Sequence, residues 1–386
     1  MKSKKKGNNL GQYVMMFIFV LLGVAFGLFA GRFIAQIEKN MFSNNEGITS
    51  SLLSFGILIV ITVIAMYVQI IVHEGGHLVF GLFSGYKFSS FRIENFMILK
   101  ENEKFKIKMI KIAGTGGQCL MTPPQLIDGK IPYVLYGYGG CIANVLVSAL
   151  LFIVYLLFPN TLLSKFCIIS AVLGVFFAII NGIPLKMGLI CNDGYNVLAQ
   201  KKYPRAIRGM WLQLSINERL SSGDRLKDIP EDWLYMPQDD ELQNVLTATI
   251  GVFYENKLIS MQKFDEAITI INRFLNEETA ILDLHKNLLI CDLIYCKLIK
   301  GEEKEEIEKY YNKNIKAFMK QMKKFPSVLR TQYAIDLIHN NNKADADKTF
   351  AIFEKVEKNY PYKGDIKDER TLIEMCNKNT KSSEIL

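Results

Sequence analysis

The sequence predicts a mainly α protein in two parts: a polytopic α-helical membrane domain with a small β-hairpin insertion, followed by a soluble α-helical repeat-like domain. Three observations predict it. Residues 12–185 consist mostly of long apolar runs, residues 201–386 hold most of the acidic groups, and a short segment between the second and third runs alternates apolar and basic residues. The mean hydropathy of +0.15 therefore averages two unlike halves of the 386-residue chain. The division expected is a membrane domain over 1–200, a junction over 201–240 and a soluble helical domain over 241–386.

Four runs are long enough to cross a bilayer, whose core takes about 20 apolar residues of helix. They are Gln12–Ile37, Ser51–Phe83, Tyr133–Phe158 and Thr161–Leu185. The first has a lysine-rich start like that of a secretory signal, but its apolar region is too long and Arg32 follows without a small-residue cleavage site, so a retained anchor is expected. Basic residues set the orientation. Four lysines stand in residues 1–11, only Lys39 in 35–50, eight basic residues in 81–132, none in 159–164 and five in 186–208. This alternation predicts a multi-pass protein with both termini cytoplasmic, and a bacterial plasma membrane is the expected location.

The net charge of +8 is concentrated in Met1–Gly7 and beside the apolar runs, as contact with anionic lipid headgroups requires. No nucleic-acid motif accompanies it, and no nucleic-acid partner is expected. Seven cysteines without a C-x-x-C spacing predict reduced thiols rather than a disulfide framework.

The loop after the second run is too long for a plain connector. In it Lys104, Lys106 and Lys108 alternate with Phe105, Ile107 and Met109, a strand period with one basic and one apolar face. Phe88–Leu99 is the expected partner strand and Glu101-Asn102-Glu103 the turn, within a β insertion over about 86–113. Its lysines are expected to face lipid phosphates. The edge suits either a small structural sheet or docking of an extended substrate. Residues 114–124, rich in glycine, are expected to form a re-entrant or interfacial loop.

The soluble half reads as helices. Residues 263–278 and 343–361 place alanine and large apolar residues at helical spacing, and 300–311 lies between them, a loose period of about 40 residues near that of helical-pair repeats. These segments resemble tetratricopeptide repeats, which implies a concave surface for a protein partner. Residues 203–240, with Trp211, Trp233, Pro230 and Pro237, are expected to rest against the membrane.

Chemistry concentrates in the second run. His73 and His77, two of only four histidines, lie four apart around Glu74 in an apolar stretch. On a helix they share one face. Two imidazoles so placed grip one metal ion, and Glu74 stands ready to take a proton from a metal-bound water. Ionisable groups at membrane depth cost about 2.5–3.5 kcal/mol each on insertion scales, which argues for function over polar helix packing. A catalytic zinc needs a third protein ligand and an open position. His285 and His339 lie in the soluble half, so Asp193 is the candidate: Pro184 interrupts the fourth run before it and Gly194 permits a turn after it. The expected site is Zn2+ on His73, His77 and Asp193, with Glu74 as general base. Gly75 and Gly76 serve either close approach of another backbone to the metal or helix packing.

His73-Glu74-Gly75-Gly76-His77, Asn181-x-x-Pro184 leading to Asp193-Gly194, and Gly139-Gly140-x-x-x-Asn144 together resemble the site-2 protease family of intramembrane zinc metalloproteases. The resemblance covers about the first 200 residues. It implies hydrolysis of peptide bonds in membrane-anchored protein or peptide substrates, with His73, His77 and Asp193 on zinc and Glu74 as base. The stretch between Pro184 and Asp193 is longer than the family's usual compact run. Asn144 and Asn181 fit either an oxyanion or substrate-backbone donor or an interhelical hydrogen bond. The rival reading is a catalytically inactive membrane scaffold that binds partners through its helical domain. Metal transport is disfavoured, because no further intramembrane carboxylates or histidines mark an ion path.

Overall fold

The computed structural model describes scattered positions between 17 and 35, and residues 48–383 except 102–103, 110–115, 160 and 188–189. The anchor predicted over Gln12–Ile37 falls largely outside the described residues; those described within it are helical. Three described helices are long and apolar enough to cross a membrane: Phe55–Phe83 within α1 (Ile48–Phe83), α2 (Tyr133–Leu157) and α3 (Leu162–Gly182). Each matches a predicted run. Their outward side chains, such as Ile59, Val63, Leu146, Leu150, Ile153 and Leu163, are exposed, as lipid-facing positions should be.

By its internal contacts the chain divides into two units: residues 1–76 with 140–180, and residues 77–139 with 181–386. Helix α1 runs through the division at Gly76/His77. In the first unit, Ala65 of α1 packs with Ile168 and Ile169 of α3 in a small apolar cluster.

The second unit holds the β insertion, which is larger than a hairpin. Strands β1 (Lys87–Ile93), β2 (Phe96–Glu101), β3 (Lys104–Met109) and β4 (Gly117–Thr122) form an antiparallel sheet in the order β3-β2-β1-β4. The partner of β3 is Phe96–Glu101, in the register Ile98↔Ile107, while β1 joins β2 with Ser90 opposite Leu99. The single strand expected over Phe88–Leu99 is therefore two strands, because Glu94 adopts a left-handed conformation (φ 49°) and turns the chain. The expected turn residues Asn102 and Glu103 lie outside the described residues. The glycine-rich segment 114–124 is not a re-entrant loop where it is described: Gly117–Thr122 pairs with β1, and Cys119 and Met121 point into the core. Its alternation of buried and half-buried positions is a strand pattern that the glycines masked.

The basic face of β3 has partners within the protein. Lys106 Nζ lies 2.9 Å from Glu101, and Lys108 Nζ donates to the Tyr360 carbonyl at 2.7 Å. Lys106 and Lys108 are thus engaged, while Lys104 and Lys106 stay exposed together with Phe105, Ile107 and Met109.

After α3 come a two-residue hairpin, β5 (Lys186–Met187) and β6 (Ile190–Cys191), then α4 (Asp193–Lys202) and α5 (Pro204–Ser222). The segment read as a membrane-resting junction is largely this helix and its packing. Trp211 donates from Nε1 to the Pro124 carbonyl at 2.9 Å and meets Trp233 edge to face at 4.8 Å. The remainder is helical: α6 (Val245–Ser260), α7 (Phe264–Asn276), α8 (Asp283–Ile299), α9 (Lys304–Glu308), α10 (Lys313–Gln321), α11 (Pro326–Ala334) with a π-turn after it, α12 (Lys343–Glu357) and α13 (Lys363–Ser383). The three segments singled out in the sequence fall on α7, α9 and α12. Their apolar faces, with Ala267, Ile307, Ala346 and Phe353, meet in one core with Tyr295 and Leu372. All seven cysteines are free.

Candidate metal centre

His73, Glu74 and His77 lie in the last third of α1, and each is only 8% exposed. An α-helix brings residues four apart over one another, so the two rings share a face. Each ring is held through Nδ1. His73 Nδ1 is 2.7 Å from Asn144 Oδ1, and His77 Nδ1 is 2.8 Å from the Tyr136 carbonyl. Both partners are acceptors, so both Nδ1 atoms carry the proton and both Nε2 atoms are left with a lone pair. That is the tautomer a metal-binding imidazole needs, and such outer partners also fix the ring's direction.

The support behind His73 extends further. Asn144 Nδ2 donates to Gln69 at its carbonyl (3.0 Å) and at Oε1 (2.8 Å), and Gln69 Nε2 donates to Ser170 at its carbonyl (2.9 Å) and Oγ (3.1 Å). Gln69, Asn144 and Ser170 are all fully buried. A chain of hydrogen bonds thus crosses from α3 through α1 to α2 and ends on the His73 ring. The Gly140-x-x-x-Asn144 spacing now has a cause: a Cβ at Gly140 would sit 2.6 Å from His73 Cε1. The glycine makes room for the ring, and the asparagine one turn on accepts its proton. Both ends of the Asn144 amide are engaged in these interhelical hydrogen bonds. Asn181 stands in the last turn of α3.

Asp193 arrives by a different route. Pro184 lacks the amide that would continue α3, which ends at Gly182. The longer stretch before Asp193 is taken up by the β5–β6 hairpin, with Lys186 opposite Cys191. Asn192 closes its base: Oδ1 accepts from Leu185 N at 2.9 Å and from Tyr195 N at 3.0 Å, and Nδ2 donates to the Ile183 carbonyl. Asn192 is therefore the N-cap of α4, and Asp193 is its first residue, where the helix dipole favours a carboxylate. Asn192-Asp193-Gly194 starts a helix rather than forming a free turn. Gly194 is required by close approach, since a Cβ there would meet the Gly182 carbonyl oxygen at 2.2 Å.

Asp193 Oδ2 lies 3.3 Å from His77 Nε2, and ligand atoms of His73, His77 and Asp193 all lie within 4.8 Å of one another. Two imidazole nitrogens and one carboxylate with that spacing form a donor set suited to a tetrahedral Zn2+ with a fourth position open. Around it, His77 meets the Tyr136 ring edge on at 5.9 Å, Tyr136 stacks on Tyr86 at 4.6 Å, and the Tyr136 hydroxyl donates to the Cys119 carbonyl at 3.0 Å. In the sequence, only the place of Tyr136 near the start of an apolar run hints at this support. Of Gly75 and Gly76, the first has open space where a Cβ would project, so no backbone approaches it closely among the described residues. The other two histidines take no part: His339 pairs with Glu308 at 2.9 Å, and His285 lines a cavity in the helical region.

Compared with known proteins, residues 61–353 match the sequence model of peptidase family M50. No curated protein and no solved structure matches.

Proposed function

Because this chain belongs to peptidase family M50 and is a membrane metalloprotease, we propose that it is a zinc endopeptidase that cuts membrane-associated protein or peptide substrates at His73, Glu74, His77 and Asp193. The observation that supports this reading best is the convergence of two histidines from α1 with a carboxylate from the start of α4. His73, His77 and Asp193 would hold the ion. Zinc, when bound, supplies a Lewis acid and brings the pKa of water to about 7.

The other roles belong to the chain. Glu74, buried beside the two histidines, is the base that accepts a proton from the attacking water and hands it to the leaving amine. Asn144 and the Tyr136 carbonyl keep each imidazole in one tautomer throughout, so neither ring competes with Glu74 for that proton. The apolar helix around the site limits water to what the reaction consumes. A peptide must be extended to be cut, and β3, an edge strand of its sheet with exposed Phe105, Ile107 and Met109, suits an added substrate strand. Those same apolar side chains favour contact with lipid or with the apolar part of a membrane-anchored substrate.

The deciding experiment is Glu74→Gln in the full-length protein. Hydrolysis of a membrane-anchored reporter should fall by about 10²–10⁴-fold or more, the usual worth of a general base, while zinc content stays at the wild-type level. Wild-type turnover by this variant would instead favour an inactive membrane scaffold.

A further inference from the structure

The helical region contains a cavity of about 250 Å3 between α5, α6, α8, α11 and α13. Liquid water takes about 30 Å3 per molecule, so the space suits a small organic group rather than one solvent molecule. Much of the wall is aliphatic and aromatic, but four carboxylates line it: Asp292, Asp365, Asp368 and Glu369.

The cations present do not balance them. Arg330, 1% exposed, pairs with Asp292 and lies 3.2 Å from Glu369 Oε2. Arg225 holds Asp368, Nε to Oδ1, at 2.6 Å. Two guanidinium groups thus pair with three of the four carboxylates, and the fully buried Glu255 of α6 adds another acid, which burial and the nearby Asp292 push well above the ordinary carboxylate range. His285 contributes no charge, since burial pushes its imidazole down to about 4. Asp365 has no ion pair or hydrogen bond among the described residues, and burial with Asp368 nearby pushes its carboxyl up to about 7. Glu369 is pushed up to about 8 by burial, against the pull of Arg330. Four buried polar atoms in the wall lack hydrogen bonds: Ser260 Oγ, His285 Nδ1, Arg330 Nε and Glu369 Oε2, the last of which still faces Arg330 as an ion pair, so Ser260, 7% exposed, is the clearest unpartnered group. Beside Asp365 the rings of Tyr360 and Tyr362 meet edge to face at 5.7 Å, and the negative charge of Asp365 acts on both hydroxyls.

We propose that this cavity binds an organic cation, an ammonium or guanidinium group on an aliphatic stem, with Asp365 and Glu369 accepting the head and Tyr360 and Tyr362 flanking it. Excess carboxylate draws the charge, aromatic faces add to the attraction, and the apolar walls cover the stem. A bare divalent metal is the poorer occupant. It needs several oxygens converging at short range, and the cavity's carboxylates form no such set among the described residues. The same head group is offered by a free amine and by a lysine or arginine side chain of a peptide.

The test is calorimetric titration of the full-length protein in detergent with cadaverine, N-acetyl-lysine amide and N-acetyl-arginine amide, against the neutral N-acetyl-norleucine amide. At least one cationic probe should bind about tenfold or more tightly than the neutral one, the worth of one charge-assisted contact. Binding of cadaverine alone identifies a free amine as the source, and binding of the amino-acid amides alone identifies a peptide side chain. Asp365→Asn should weaken binding about tenfold by the same measure and keep or raise the melting temperature, whereas exposed Asp239→Asn should change neither. Equal affinity for the neutral probe, no binding of any cation, or undiminished binding to a folded Asp365→Asn protein overturns the proposal.

Discussion

Two buried polar clusters in this protein are completed in opposite ways. At the candidate metal centre each imidazole has a protein acceptor on Nδ1, and the relay behind His73 ends at Ser170. In the helical cavity carboxylates outnumber guanidiniums, and Asp365 stands without a partner among the described residues. The contrast teaches how each site is specified. The first uses neutral hydrogen bonds to aim lone pairs at one point, so its geometry comes from the protein. The second gathers more carboxyl groups than guanidiniums in a low-dielectric space, where burial pushes Asp365 and Glu369 toward their protonated forms, so its charge state is set by whatever cation enters.

Substitutions at the two clusters should therefore fail differently. The largest effect is expected from Asp193→Ala, which should drop both zinc content and reporter hydrolysis to background while the helical region melts as before. Metal analysis and thermal melting of one preparation check it. Arg330→Ala should do the reverse. It strands Asp292 and Glu369, and removing one partner of a buried ion pair costs about 3–5 kcal/mol. Chemical denaturation should show that loss, with zinc content unchanged in the folded fraction.

Asn144→Leu sharpens the comparison within the first cluster. It frees the His73 ring and leaves Gln69 short of a donor, and loss of such an outer partner costs about 10–100-fold in metal affinity. Competition with a chromophoric chelator measures this. The smallest effect is on pH. Asp365 and Glu369 titrate near 7 and 8 when folded, above the ordinary carboxylate range they have when unfolded. Between about pH 4 and pH 8 these two carboxyls hold more protons folded than unfolded, an effect His285 opposes below about pH 6.5, so stability should decline as pH rises from about 6.5 to 8. Melting temperatures across it should fall for the wild type and fall less for Asp365→Asn.

Much of this was legible in the residues. The spans from Ser51, Tyr133 and Thr161 were readable because lipid exposure demands uninterrupted apolar runs, and α1, α2 and α3 occupy them. His73, Glu74 and His77 were readable because helical spacing alone puts both rings on one face. The sheet was only half legible. Lys104–Met109 alternates cleanly, but Gly117–Thr122 is a strand through pairing with β1, which no local pattern supplies. The alternation of β3 gives a basic face but not its neighbours, which for Lys106 and Lys108 include Glu101 and Tyr360. The sequence does not show which partner Asn144 takes, since its hydrogen bond between α1 and α2 joins residues 71 positions apart.

What the sequence alone determined are properties carried by periodicity and composition: the apolar spans, the helical tail, and two histidines one turn apart with a glutamate beside them. Tertiary structure decided what depends on groups distant in the chain. It set the Nδ1–H tautomers, the hairpin and cap that deliver Asp193 to His77, and the gathering of carboxylates around Arg330. The physical reason is that helical and strand periods act over a few residues, whereas hydrogen-bond partners and charge balance depend on which segments fold against one another.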